Sequence, residues 1–522
     1  MRGARTRVVG AAALLALAGT AACGLVLGLE DHEAYPPAEG GTVDSSTYDS
    51  TADGSRDGGD ASDAGDAGDA RSESAAETGA VCEASLCGDA CVDLQNDRSN
   101  CGTCGLTCDA SSCYRAACGG GTVSQLTAGN EHACALLKAG DVWCWGADDQ
   151  AQVLGPGDAS TCPLGPCRPA PARIAGLPDS VQISAGGDQT CALDADGGVW
   201  CWGSNAGAGL GHAQSNDPTC AAGACNGQPT VVAGLPGPAT MVTSGQTSFA
   251  CALVNGSVYC WGDDRYAELG PAGDGGPSPT PQLVLTDAGA VAAGFAHTCA
   301  MVGGVPSCWG SNASGELGHA PGGADHTCPS AMFCNPTPQA LPVTGVTRVH
   351  PGHYASCFET ATGPYCLGAN DVGQLGLGTF DSNANATPTA VTIEQGALAG
   401  LAGLDFGHKT VCALALSTVY CWGDDETHQT SAPQEGFCAA SVPCIVDGYR
   451  VGLLDVVEVR ASRFATFART VDGRVWAWGN NGSGQLGHEP GDAGDEGGCD
   501  PAAFPSSGTL CNAGPAVVQG LP

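Results

Sequence analysis

From Val123 onward, apolar and polar positions alternate in short bursts broken by glycine, and the bursts recur. One copy, residues 181–211, reads V-Q-I-S-A-G-G-D-Q-T-C-A-L-D-A-D-G-G-V-W-C-W-G-S-N-A-G-A-G-L-G. Two-residue alternation predicts strands over residues 181–184, 190–193 and 199–202, with Asp196-Gly197 as a hairpin turn. A polar loop follows, and Pro229-Thr230-Val231-Val232 reads as a fourth strand. The clearest beat is Trp-Gly at Trp145, Trp202, Trp261, Trp309, Trp422 and Trp478, with Leu367 in the fifth place. The intervals are 57, 59, 48, 58, 55 and 56 residues, so seven units fill residues 123–522. A four-strand unit of this size cannot bury both faces alone, whereas radial stacking shares a core between neighbours. The pattern predicts an all-β chain, a seven-bladed β-propeller. The small residues of the Ala-Gly turns suit a crowded axis. The final strand, Pro515-Ala516-Val517-Val518, has no eighth unit to join and is expected to pair beside residues 123–126, closing the ring.

The recurring strings A-G-x-x-H-x-C-A-L, V-x-C-W-G-x-N, G-x-L-G and P-x-x-V resemble the regulator-of-chromosome-condensation repeat over residues 123–522. That resemblance also implies seven blades. The family's eukaryotic founder exchanges nucleotide on a nuclear GTPase and docks on nucleosomes, but fold and function are separable. The copies depart from the pattern at Leu367, at Gln429-Thr430-Ser431 in place of x-Leu-Gly, and in the seventh unit, which lacks both hairpin cysteines.

Cysteines add a second layer of order. Cys134/Cys144, Cys191/Cys201, Cys251/Cys260, Cys299/Cys308, Cys357/Cys366 and Cys412/Cys421 hold the same two places, on the second and third strands of six units. Directly opposed residues of a non-hydrogen-bonded antiparallel pair lie about 4.5 Å apart at Cα, within disulfide range. In the seventh unit Phe467 and Ala477 replace both members together. Cys162/Cys167, Cys220/Cys225, Cys328/Cys334, Cys438/Cys444 and Cys499/Cys511 form a second set in the long loops after Leu-Gly. Eight more, from Cys82 to Cys118, crowd a stretch with hardly any aliphatic residues. Of 31 cysteines, Cys23 alone is left without a partner.

Cys23 has another use. Arg2, Arg5 and Arg7 precede an apolar run that ends in Thr20-Ala21-Ala22-Cys23, which resembles a bacterial lipoprotein signal, with Thr20 where an aliphatic residue is usual. The resemblance implies lipidation of Cys23 and a chain anchored to a membrane in the bacterial envelope. Residues 8–29 are also long enough to span a bilayer uncleaved, but the Ala/Gly richness and the placed cysteine point to lipidation. Export also accounts for so many cysteines, which a reducing cytosol would not oxidise. Residues 30–79 hold 14 acidic residues and two Arg, the signature of a solvated tether rather than a core. The expected organisation is a signal peptide at 1–22, an acidic tether at 23–79, a cysteine-rich module at 80–122 and the propeller at 123–522. In the module the C-x-x-C pair Cys101/Cys104 raises zinc, yet export, an even count and the lack of histidine favour a disulfide scaffold.

Eighteen Lys+Arg against 54 Asp+Glu give a net charge of −36, and Lys occurs only at Lys138 and Lys409. A surface this acidic excludes nucleic acid as a partner. No H-E-x-x-H, G-x-S-x-G or phosphate-cradling glycine motif is present, so no cofactor, metal or catalytic residue is assigned. His132 and His297 share a repeat place held elsewhere by Gln, Phe, Ala or Thr, and read as turn-bracing hydrogen bonders. His212, His319 and His488 follow Leu-Gly in three loops and are expected to be exposed. Asp148/Asp149, Asp263/Asp264 and Asp424/Asp425 follow Trp-Gly where other units place Asn205, Asn312, Asn370 or Asn481, which suggests turn capping. The expected function is a monomeric scaffold for a protein or glycan ligand, with contacts in residues 147–172, 205–229, 312–338, 424–448 and 481–515. The alternatives are an extracellular enzyme on polysaccharide or peptidoglycan, using loop carboxylates about 5–9 Å apart, and an inhibitor of a secreted enzyme.

Overall fold

A computed structural model describes residues 120–522, apart from 155–159, 324, 393–397, 399, 434–435, 439–441, 493–494 and 498–509, together with parts of 85–118. Cys23, the signal peptide and the tether lie outside the described residues, as does Cys499. Seven antiparallel sheets follow one another along the chain, and together they form a seven-bladed β-propeller. Blade 2 shows the plan: Ser180–Gly186, Gln189–Asp194, Val199–Ser204 and Gly223–Val231 pair in chain order, from an inner strand to an outer one. The inner strands surround a central cavity of ≈ 260 Å³ with polar walls, among them Gln125, Thr127, Gln182, Ser184, Thr243 and Asp405.

Seven hydrophobic clusters fill the seven seams. At the seam of blades 2 and 3, Cys191, Leu193, Val199 and Leu210 meet Val242, Ala252 and Trp261 of the next blade. Each tryptophan of the Trp-Gly beat is fully buried, and its indole N–H donates to a loop carbonyl of the preceding blade. Trp202 bonds Gln152 O, Trp261 bonds Gly209 O and Trp309 bonds Glu268 O, at 2.8–2.9 Å. Trp422, Trp478 and Trp145 repeat the contact with Gln374, Gln429 and Gln485. In blade 5, where Leu367 cannot donate, the Ser356 hydroxyl donates to the equivalent Glu316 carbonyl at 3.2 Å. A buried carbonyl left unpaired is costly, and a hydroxyl from this register position can satisfy it: in blade 7 Thr466 Oγ1 donates to Gln429 O beside the Trp478 indole.

The glycine of the same beat is equally constrained. All seven, from Gly146 to Gly479, have φ between +100° and +110°. A Cβ on any of them would strike a backbone carbonyl of the turn between the inner and second strands, such as Glu131 O or Tyr354 O. That turn also accepts the backbone N–H one residue later, as in Ser204 N–H to Asp188 O and Ala369 N–H to Tyr354 O. The beat is therefore a latch that ties each blade to its neighbour and its third strand to its own inner turn.

The hairpin cysteines occupy directly paired positions on the second and third strands, where Cα atoms stand 4.1–4.2 Å apart and the side chains are disulfide-bonded. Cys134 faces Cys144 in blade 1, Cys191 faces Cys201 in blade 2 and Cys251 faces Cys260 in blade 3. Cys299 faces Cys308 in blade 4, Cys357 faces Cys366 in blade 5 and Cys412 faces Cys421 in blade 6. In blade 7 the same register sets Phe467 opposite Ala477, a large and a small apolar side chain in place of the bond. The loop cysteines join Cys162 to Cys167, Cys220 to Cys225, Cys328 to Cys334 and Cys438 to Cys444, and Cys511 is also disulfide-bonded. Among the described residues these segments carry strand structure. Each second cysteine lies inside the outer strand, and in blades 1, 2, 4 and 7 a short extra strand folds back beside it. Blade 6 makes the same return with a single bridge, Phe437 to Pro443. In the module, Cys101 pairs with Cys113 and Cys104 is disulfide-bonded too.

Ring closure differs from the expectation. Leu510–Val517 pairs with the third strand of blade 7 and stays in that blade, while Val123–Ala128 pairs only within blade 1. Among the described residues no strand is exchanged; side chains close the circle. Val123, Leu126 and Trp145 pack against Phe467, Leu486 and Val518. Glu458 Oε1 accepts from Leu126 N–H, and Arg460 Nε donates to Leu126 O. A complete set of four strands in each copy removes the need to borrow one.

Candidate functional site

In an antiparallel blade, the inner turn and the loop between third and outer strands emerge at the same end. One face of the ring therefore carries all seven inner turns at its centre and all the stapled hairpins at its rim. The opposite face receives the incoming chain. There Tyr114 packs on the core at the blade 7/1 seam, and Arg115 donates to Asp141 Oδ2 at 3.0 Å and Asp179 Oδ1 at 2.8 Å.

The rim loops share one internal frame. The Asp or Asn three residues after each repeat-place Trp (Leu367 in blade 5) accepts the N–H five residues on: Asp148 from Val153, Asn205 from Leu210, Asp264 from Leu269, Asn312 from Leu317. Asn370, Asp425 and Asn481 do the same with Leu375, Thr430 and Leu486. Burial pushes Asp264 up and Asp425 up to about 6, yet these carboxylates are committed to loop amides. They cap turns.

Three histidines expected to be exposed are instead pinned. His212, His319 and His488 bond Asp217, Asp325 and Asp495 at 2.6–3.0 Å, and the three carboxylates are at most 1% exposed. The second oxygen of each Asp accepts from the capping Asn205, Asn312 or Asn481. Asparagine at the capping place thus does two jobs, holding its own turn and the start of the stapled hairpin. His132 and His297 are also not turn braces. Their Nε2 atoms reach the next blade, to Thr190 Oγ1 and Ser356 Oγ, each at 2.8 Å. Burial lowers them to about 4 and about 3, which keeps both neutral.

The centre of the face carries side chains that the sequence reading passed over. The two residues before the repeat-place histidine are Asn130-Glu131 in blade 1 and Gly187-Asp188 in blade 2. In blades 4–7 they are Phe295-Ala296, His353-Tyr354, His408-Lys409 and Arg463-Phe464. Rings from four blades meet in a row. Tyr266 lies 6.2 Å from Phe295, Phe295 4.0 Å from His353, and His353 3.6 Å from His408, with Tyr354 4.0 Å from His353. Desolvation, helped by the neighbouring charges of Lys409 and Arg463, lowers His353 to about 2 and His408 to about 3. Arg463 is exposed, with its guanidinium 4.7 Å above the Phe464 ring. Across the face, burial and the charges of Asp149 and Glu131 raise Asp188 to about 6. The centre is therefore bipolar, carboxylates on blades 1 and 2 and rings with cations on blades 4–7. The signal was available: stacking the seven copies at these two columns sorts them by chemistry.

The regulator of chromosome condensation (RCC1) repeat profile matches residues 123–152, 181–207 and 456–485, and a second profile of that repeat matches 139–193 and 472–507. Among curated proteins, the Drosophila melanogaster regulator of chromosome condensation is 32% identical over 127 residues, 24% of this chain and 22% of that protein. The Homo sapiens E3 ubiquitin-protein ligase HERC2 is 30% identical over 170 residues, 32% of this chain and 3% of HERC2. The Arabidopsis thaliana ultraviolet-B receptor UVR8 is 31% identical over 182 residues, 33% of this chain and 38% of the receptor. The chain thus spans well under half the length of these relatives. Among solved structures, Prp20p of Saccharomyces cerevisiae superposes with a TM-score of 0.58 at 18% identity, over 73% of this chain and 86% of Prp20p. Human WBSCR16 gives 0.54 at 18% identity over 73% and 94%. At that identity the likeness is one of fold.

Proposed function

We propose that this chain is an exported binding scaffold, lipid-anchored through Cys23 in the bacterial envelope, whose propeller presents its turn-and-hairpin face to a protein or glycan partner. The observation that carries the reading is the concentration of variable chemistry on one face. Framework positions are buried and hydrogen-bonded in the same way from blade to blade, whereas the inner turns and stapled hairpins differ in every blade. Functional groups gather on loops held by a rigid scaffold, and stapling a hairpin reduces the entropy lost on binding. Protein binding also suits the fold: Prp20p has binding properties to Gsp1p and histones.

Within the expected ranges we place the ligand contacts ahead of the outer strands. In blades 1, 2, 4 and 7 the outer strands begin at Gly165, Gly223, Phe333 and Leu510, and in blade 6 at Cys444; residues beyond these points are framework. The test is to capture a partner from envelope and culture supernatant with the full chain, then shorten the blade 2 and blade 4 hairpins to the blade 5 length. Affinity should fall while the thermal midpoint changes little. Unchanged affinity after all five hairpins are shortened would move the binding site elsewhere.

A further inference from the structure

The row of rings on blades 3–6 adds to seams that already have their own buried clusters, each latched by a tryptophan or, between blades 4 and 5, by Ser356. It lies on an exposed face, and its members are only partly covered, except for His353 at 7% exposure. The Nδ1 atom of His353 is buried without a hydrogen-bond partner. Beside the row, Arg463 stands out. Arg168, Arg265 and Lys409 on the same face are committed to Asp148, Asp263 and Asp371. Arg463 makes no ion pair among the described residues and is held over Phe464. An oriented, unpaired guanidinium is a fork for a carboxylate.

We propose that this strip binds a carboxylated sugar, a uronate-type pyranose of an acidic polysaccharide, with its C–H face on the partly exposed Phe295 and His408 that flank the buried His353 and its carboxylate on Arg463. This rests on the loop-face reading above and names its ligand class. The partly exposed Phe295 and His408 rings offer flat, polarisable surface, and the His408 nitrogens and the Tyr266 and Tyr354 hydroxyls offer partners for sugar hydroxyls. An apolar peptide side chain would need a dry concave pocket, which an open row of rings does not provide. The charge pattern sets the direction. Glu131, Asp149 and Asp188 repel a carboxylate from blades 1 and 2, leaving blade 7 as its seat. On a propeller with 35 acidic and 11 basic residues, that seat is local.

The full chain is titrated by calorimetry with hexagalacturonate, with its methyl ester and with hexaglutamate. The expected result is binding of hexagalacturonate, weakened at least tenfold by esterification, by Arg463→Ala and by His408→Ala, with thermal midpoints unchanged. Phe295→Leu, which keeps apolar volume but removes the ring, should weaken it as well. Absence of hexagalacturonate binding, or binding that survives both Arg463→Ala and Phe295→Leu, overturns the proposal. Equal binding of hexaglutamate, lost in Arg463→Ala, overturns it in favour of an acidic peptide. No uronate binding alongside a captured partner that needs the hairpins rejects this ligand and keeps the scaffold; uronate binding that is unchanged when the hairpins are shortened keeps the ligand and rejects the hairpins as its contacts.

Discussion

Replacing Trp309 by Leu would impose on blade 4 the residue that blade 5 carries naturally at Leu367. In the native chain the Trp309 indole donates to Glu268 O at 2.8 Å and is fully buried at the seam with blade 3. The change removes one hydrogen bond from a buried carbonyl, about 1–3 kcal/mol, and leaves a gap. Complete truncation of a buried Trp costs about 3–5 kcal/mol, so with part of the volume kept the total should be about 2–4 kcal/mol. Blade 5 shows a way to recover some of it. There Ser356, paired in register with Leu367, donates to Glu316 O. Thr298 holds the matching register position opposite Trp309, and its hydroxyl is buried without a partner. In Trp309→Leu that hydroxyl should turn to Glu268 O and return about 1 kcal/mol. Thr298→Ala should therefore cost more in the Trp309→Leu background than in the native one, by about that amount. At about 2 cal/mol/K of unfolding entropy per residue, about 400 residues give about 1 °C per kcal/mol. Trp309→Leu should lower the calorimetric midpoint by about 2–5 °C by this scale, and urea unfolding of all four variants would complete the cycle. Strict additivity would refute the transfer of the hydrogen bond, and a cost below about 1 kcal/mol would refute the latch.

Glu268 sits where four other blades place Gln152, Gln374, Gln429 or Gln485, and its carboxyl accepts from Tyr266 N–H as those amides accept from theirs. Burial, with Asp263 adding repulsion, raises its pKa well above 4.5, so folded protein gains protons that unfolded chain has lost, and stability falls as pH rises from 4.5 through the folded value. Glu268→Gln should remove that fall, at most about 1.4 kcal/mol per pH unit, and a mutant-minus-native midpoint that stays constant with pH would contradict it. Cys23→Ser should release the protein from membranes or leave an uncleaved precursor, and a membrane-bound protein of mature size in that mutant would reject lipidation. Removing one hairpin pair, Cys251→Ala with Cys260→Ala, should cost about 2–3 kcal/mol for its short loop, and alkylation of the native mature chain should find no free thiol; several reactive thiols would break the pairing.

Much of the fold is legible because it is written seven times. Trp-Gly, Leu-Gly and the hairpin cysteines keep their places, so strand order and blade number follow from spacing alone. Other features escaped for physical reasons. A closing strand such as residues 515–518 has the same alternation whether it finishes its own blade or joins another, so pattern could not decide how the ring shuts. The carboxylates that pin His212, His319 and His488 lie 5, 6 and 7 residues further on, in hairpins of unequal length, and so fall in no fixed column. Ser356 looks like one more small residue of a second strand until Leu367 is seen beside it. The row from Tyr266 to His408 is built from positions that vary freely between copies. Such positions read as turn filler along the chain and become a site only when the ring brings them to one centre.

Hydrogen exchange of the full chain, alone and with its captured partner, tests the central claim most directly. The account predicts protection at the inner turns, such as 295–296, 353–354, 408–409 and 463–464, and at the stapled hairpins beside them. Protection concentrated instead on the opposite face, at turns such as 138–141, 416–417 and 470–473, would contradict it.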